Sequence, residues 1–287
     1  MRMTGRRESS NVDDRRGMSS GGKAGLGIGG IIIAALITWL MGGNPLETVQ
    51  QMGGLEAITN VTTPAEQREF TAEEQQLAQF ASQVLAGTED VWTQVFKDMG
   101  RTYVAPRMVL YTGSVQTGCG QGNASVGPFY CSADQALYID LSFFTSMKSQ
   151  LGADGDFAYA YVIAHEVGHH VQHLLGTLDE AHGQMARMNQ ADANKVSVCI
   201  ELQADFYAGV WGYHDNAMFS SIEDGDLEEA IRCAEVIGDN YLQEKARGYS
   251  VPESFTHGTS AQRMRWLKLG LSTGDMSKGD TFSAKSL

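Results

Sequence analysis

Basic residues are scarce in this chain. It carries 21 Lys and Arg against 34 Asp and Glu over 287 residues, a formal net charge of −13. That balance excludes the clustered cationic surface on which phosphate neutralisation depends, and with it nucleic-acid binding. Cysteine is sparse too. There are four, none in a C-x-x-C arrangement, which excludes a cysteine zinc site and a thioredoxin-like redox centre. No internal repeat is present. With 43% hydrophobic and 19% charged residues, the chain reads as one globular domain with short appendages.

Charge is missing altogether from residues 24–41, AGLGIGGIIIAALITWLM. Eighteen uncharged residues sit at the lower end of what spans a bilayer as a helix, and Trp39 fits an interfacial aromatic position. Residues 1–23 before it hold six basic side chains (Arg2, Arg6, Arg7, Arg15, Arg16, Lys23) against three acids, and no Lys or Arg follows until Arg68. The positive-inside rule then predicts a single-pass membrane protein with a cytoplasmic N-terminus and an extracytoplasmic domain. A cleavable signal peptide and a hydrophobic hairpin are the competing readings, and no A-x-A-like site favours the former. The expected division is a disordered basic tail over 1–23, a transmembrane anchor over 24–41, a linker over 42–70 and the main domain over 71–287.

All four cysteines lie beyond the anchor, where export would permit disulfides. Cys119 and Cys131 bracket a Gly-rich segment whose closure would add about 3 kcal/mol. Cys199 and Cys233 would form the second pair. Free buried thiols remain the alternative, because spacing does not fix connectivity. Thr71 and Glu74 match a capping box opening a helix that runs on past Gly87. Strand patterns occur at 108–111, 127–130 and 136–141, and helical ones at 156–175, 196–214, 227–247 and 259–271. A mainly helical α+β domain with a small sheet follows.

The chemistry is concentrated in His165-Glu166-Val167-Gly168-His169. An H-E-x-x-H on a helix puts both imidazoles on one face, where they can share a metal, and sets Glu166 about 100° away, within reach of a metal-bound water. The longer metzincin pattern is excluded, since Gln172 and Leu175 occupy its Gly and final His positions. His173 lies about 12 Å along the axis from His165, too far to share the same ion. A carboxylate on another helix remains. Glu201 can be the third ligand, and Asp205, one turn on, can accept the second ring N–H of a liganding histidine. Ala204, Ala208 and Gly209 are small enough for that helix to approach the first. His170, His173, His182 and His214 have no assignable role beyond local or solvent hydrogen bonds.

With H-E-x-x-H followed by E-x-x-x-D, the chain resembles the gluzincins. More closely, it is similar to the bacterial neutral zinc metallopeptidases of the YpfJ type. The motifs are T-G-C-G at 117–120, G-P-F-Y-C at 127–131, Y-I-D-L-S-F-F at 138–144, A-H-E-V-G-H-H-V-Q at 164–172, E-L-Q-A-D at 201–205 and H-G-T-S-A-Q-R at 257–263. The resemblance covers nearly the whole chain. It implies one zinc per chain, peptidase chemistry on a peptide or protein substrate and an envelope location. Membrane gluzincins of the HtpX type place a His and, six residues later, an Arg downstream of the glutamate ligand. His257 and Arg263 have that spacing, which implies an oxyanion donor in His257 and a structural tie to a carboxylate in Arg263.

The expected function is therefore a membrane-anchored zinc peptidase. Its rivals are a catalytically silent, zinc-stabilised scaffold protein of the envelope and a membrane-surface protein acting through its basic tail. By analogy with zincins in general, strand 136–141 would hold the substrate backbone as an added strand.

Overall fold

The computed structural model describes residues 1–17 and 69–287. At its centre is a four-stranded sheet, in the order β1 (Val12–Asp14), β2 (Arg107–Tyr111), β6 (Ala136–Asp140), β5 (Phe129–Cys131). β1, β2 and β6 run parallel, and β5 is antiparallel to β6, with Phe129 opposite Tyr138. Alternation sorts the two inner strands onto two cores. Met108, Leu110, Leu137 and Ile139 face the helices. Val109, Tyr111, Ala136 and Tyr138 face a second cluster with Val115 and Cys131. A hairpin of β3 (Ser114–Thr117) and β4 (Gly120–Asn123) supplies Val115, so the inner strands are covered on both faces, as parallel strands require.

The helices are α1 (Ala72–Asp98), α2 (Ser142–Ser146), α3 (Asp156–Leu175), α4 (Thr177–Met185), α5 (Gln190–Phe219), α6 (Asp226–Val236), α7 (Asp239–Arg247) and α8 (Ser260–Thr273). α1 starts with the expected capping box, Thr71 and Glu74 each bonding the other's backbone. α3 has the expected bounds and α5 outruns its expected ones at both ends. The stretch 227–247 breaks into α6 and α7 at Ile237 and Gly238. The pattern had not shown α4 or the β3–β4 hairpin. β6 is paired on both sides, so the expectation that 136–141 accepts a substrate strand is corrected. Among the described residues, β5 is the sheet edge beside α3, and it has only β6 as a neighbour.

Gly168 sets the distance between α3 and α5. A Cβ there would stand 2.9 Å from the Ala204 carbonyl oxygen and 3.1 Å from its Cα. Of the small residues expected to admit that approach, Ala204 does so, whereas Gly209 lies against Leu267 and Gly270 of α8.

The largest correction concerns the N-terminus. Residues 1–17 are no disordered tail but a strap across the domain. β1 pairs with β2, the Met1 amine donates to Asp226 at 2.8 Å, and the Ser9 hydroxyl donates to Glu89 at 2.5 Å. Arg6 grips the fully buried Asp215 with two bonds of 2.6 and 3.1 Å. Gly87 makes room for this pair, since a Cβ there would meet the Arg6 guanidinium at 2.5 Å. Arg16 lies over the Phe70 ring at 4.3 Å and donates to the Glu74 carbonyl, so the chain on either side of residues 18–68 belongs to one packed body.

A single membrane crossing between residues 17 and 69 would put the strap and the domain on opposite faces of a bilayer, which this packing forbids. Among the described residues, moreover, no helix is long and apolar enough to cross a membrane. The transmembrane element of the expected fold and the single-pass localisation are both overturned. The anchor over 24–41 and the greater part of the linker over 42–70 lie outside the described residues. The segregation of charge has a simpler cause: Arg2, Arg6 and Arg7 pair with domain carboxylates, and Arg15 and Arg16 pair with Asp13 and Asp14.

Arg6→Ala should leave Asp215 as a buried, unpaired carboxylate and destabilise the protein by about 3 kcal/mol. Differential scanning calorimetry would register this as a fall of several degrees in Tm. An unchanged Tm would mean that the strap is not part of the cooperative fold.

Candidate metal centre

α3 delivers His165 and His169 to one face, and α5 brings Glu201 against them. The Glu201 carboxylate lies 3.1 Å from His165 Nε2 and 3.6 Å from His169 Nε2. The three side chains present ligand atoms all within 4.8 Å of one another, the one such His/Cys/Asp/Glu group among the described residues.

The other nitrogen of each ring is tied behind. His165 Nδ1 lies 2.8 Å from Asp205 Oδ1, and His169 Nδ1 lies 2.9 Å from Gln172 Oε1. The Gln172 amide donates to the Ile200 carbonyl and to Gln203 Oε1, so its oxygen is the end facing His169. With both Nδ1 atoms facing acceptors, both Nε2 atoms are turned toward the Glu201 carboxylate. Two imidazoles and one carboxylate, with no fourth His, Cys, Asp or Glu ligand among the described residues, form a donor set that fits zinc.

Asp205 is the hub of this arrangement. Its carboxylate also accepts from the Tyr161 hydroxyl at 2.6 Å and takes two bonds of 2.9 Å from Arg263 Nε and Nη2. Burial pushes its pKa up, but Arg263 and His165 more than offset this and hold it down at about 2. Burial raises Glu166, which lines the same cavity. Glu201 behaves oppositely: burial alone would raise it, but His257 and His169 bring it well below the ordinary carboxylate range.

His257 reaches the cavity from the loop before α8. Asp239, at the start of α7, accepts the backbone N–H of Thr256, His257 and Gly258 on one oxygen, at 2.8, 2.7 and 3.0 Å. Its other oxygen lies 3.5 Å from His257 Nδ1. Arg263 lines the cavity too, but its guanidinium is engaged as the tie to Asp205.

The site residues named from sequence thus meet in one cavity of about 660 Å³, except Asp205, which lies behind His165. Sequence reasoning missed Tyr161, Gln172 and Asp239. Tyr161 and Gln172 lie one helical turn from His165 and His169, a spacing visible in the sequence. Asp239 sits 18 residues from His257 with no local signal. Of the remaining histidines, His170 is buried between the Val104 carbonyl and the Tyr130 hydroxyl, His214 meets the Gly274 carbonyl, and His182 stands at the cavity rim. His173 lies 3.6 Å from Asp179.

Cys119 and Cys131 form the expected disulfide, which ties the β3–β4 turn to β5. The second expected bridge is absent. Cys233 is buried against Met147 Sδ at 3.6 Å, and Cys199 is free on α5, its carbonyl bonded to Thr281.

Two outcomes follow for metal binding. Removing the hydrogen-bond acceptor in Gln172→Ala should weaken zinc by about 10- to 100-fold while the fold persists, measured by competition with a chromogenic chelator. In the metal-free protein, burial lowers the His165 imidazole, but Asp205 and Glu201 more than offset this and raise it to about 10. A cation at Nε2 must displace that proton, so zinc affinity should fall by roughly tenfold per unit as pH drops below about 10. A pH-independent affinity would contradict this coupling.

No solved structure matches the chain. Among curated proteins it is similar to YpfJ of Escherichia coli K12, 48% identical over 289 residues, with 98% of this chain and 99% of the relative covered. It is similar also to Rv2575 of Mycobacterium tuberculosis H37Rv, 41% identical over 203 residues, 67% of this chain and 68% of the relative. Both are named as uncharacterized proteins. Residues 1–282 match the family described as "Putative neutral zinc metallopeptidase", and with its H-E-x-x-H and Glu201 carboxylate converged on one point, the chain belongs to that family.

Proposed function

We propose that this protein is a zinc-dependent peptidase that hydrolyses peptide bonds in the cavity bounded by α3, α5 and β5. The observation that carries the reading is Glu166. A purely structural zinc needs no acid beside it and fills its fourth position with protein, whereas here a buried carboxyl raised by its surroundings shares an open cavity with three ligand side chains.

A bound zinc would lower the pKa of a water and polarise the scissile carbonyl. Glu166 takes the water's proton and passes it to the leaving amine. Asp205 and Gln172 hold the two liganding rings in the tautomer that leaves Nε2 unprotonated. His257, fixed by the three backbone bonds of its loop to Asp239, donates to the developing oxyanion. The edge strand β5 pairs with the substrate backbone, and its own orientation is kept by the bond from Tyr130 to His170.

The test is casein cleavage by the zinc-loaded protein. Glu166→Gln should lower turnover by about 10²- to 10⁴-fold with zinc content unchanged, whereas Glu201→Ala should lose zinc and turnover together. A wild-type protein that holds zinc without cutting casein or peptides would instead be the silent scaffold.

A further inference from the structure

We infer that the cleft cuts internal bonds of extended, unfolded polypeptide flanked by apolar side chains and recognises neither chain end; this rests on the peptidase reading above.

The first line of argument is the charge available in the cavity. A carboxypeptidase must offer a cation to the substrate's terminal carboxylate, because an unpaired charge is not carried into a cleft. Arg263 is the one Lys or Arg lining the cavity among the described residues, and it is 4% exposed. Its Nε and Nη2 are engaged by Asp205, and its Nη1 lies 3.4 Å from the Ile237 carbonyl. His182 stands exposed at the rim, its imidazole lowered by partial burial. His257 lines the cavity with its Nδ1 3.5 Å from Asp239.

An aminopeptidase needs the converse, a carboxylate for the terminal ammonium. The two carboxylates lining the cavity among the described residues are Glu166 and Glu201. Glu201 is faced by both liganding imidazoles, and Glu166 is the proton acceptor of the proposed reaction. Among the described residues, the carboxylates and the guanidinium that line the cleft are therefore occupied by the chemistry or by another residue, and none is left for a substrate terminus.

The second line is what lies on either side of the zinc ligands. Val162 stands one turn before His165 on α3, and Phe143 and Leu242 line the cavity with it. Beyond the other end of α3, Leu178 and Met185 of α4 pack with Ile200 of α5 and line the same cavity. Apolar walls thus flank the metal-binding residues in both directions along α3. Side chains on both sides of a scissile bond would bury apolar surface there, which favours Leu, Phe and similar residues over charged ones. Pairing with β5 demands an extended backbone, which a folded substrate does not offer.

The experiment uses the zinc-loaded protein and internally quenched peptides with one apolar core, in one version acetylated and amidated and in another with both ends free. A third peptide carries Asp and Lys around the central bond. The expected result is equal kcat/KM for blocked and free ends within about twofold, and a loss of about tenfold or more for the charged core. Met185→Glu, at a half-buried position, should reduce the apolar preference with zinc content unchanged. A preference of about tenfold for a free amino or carboxyl end would overturn the endo-cleavage inference and leave the peptidase reading standing. Equal cleavage of apolar and charged cores would overturn the apolar part. Failure to cut any peptide or casein, with zinc bound, would overturn the peptidase reading and this inference with it.

Discussion

Asp205 carries a negative charge with no access to water, and the geometry of the site depends on how that charge is satisfied. An isolated carboxylate in such a position costs many kcal/mol, so it persists only where donors surround it. Here the donors come from two elements, Tyr161 and His165 from α3 and Arg263 from α8, around a residue of a third, α5. Any slip of one helix against the others would leave the charge unpaired. The carboxylate therefore sets the register of α3, α5 and α8, and through His165 it sets the orientation of a metal ligand. Stability and ligand geometry rest on the same four side chains.

Around that hub, close backbone approach does the rest. Gly168 lies between the two liganding histidines and admits Ala204 of α5, which brings Glu201 within reach of both rings. The sheet contributes its one short antiparallel strand, β5, as the cleft edge, and the Cys119–Cys131 bridge fixes the hairpin beside it. The cavity thus has a helical floor that holds the three candidate metal ligands and a covalently tied edge strand.

The N-terminal strap is the clearest case of a misleading pattern. Arginines beside an uncharged run imitate the signature of a membrane crossing, yet in the fold those arginines meet Asp215, Glu223 and Asp90. Charge separated along the sequence is charge joined in space. Nothing local to residues 1–17 announces this, because β1 is three residues long and the partners lie up to 225 positions away.

The sequence by itself determined the candidate metal ligands and the helix that carries two of them. H-E-x-x-H has a meaning fixed by helical periodicity alone, and E-x-x-x-D offers a ligand and a buried acceptor one turn apart by the same rule. The capping box at Thr71 and the bounds of α3 follow from equally local physics. Only the tertiary structure decided what depends on distant partners. It decided which strand is an edge, since that depends on pairing order and not on the hydrophobicity of 136–141. It joined Cys119 to Cys131 and left Cys199 and Cys233 apart, because a thiol pair is settled by where two helices happen to face. It brought Asp239 to His257 through backbone N–H groups that every residue possesses and no side chain advertises. Finally, it folded the basic tail onto the acidic domain, because the attraction of opposite charges acts through space and takes no account of separation along the chain.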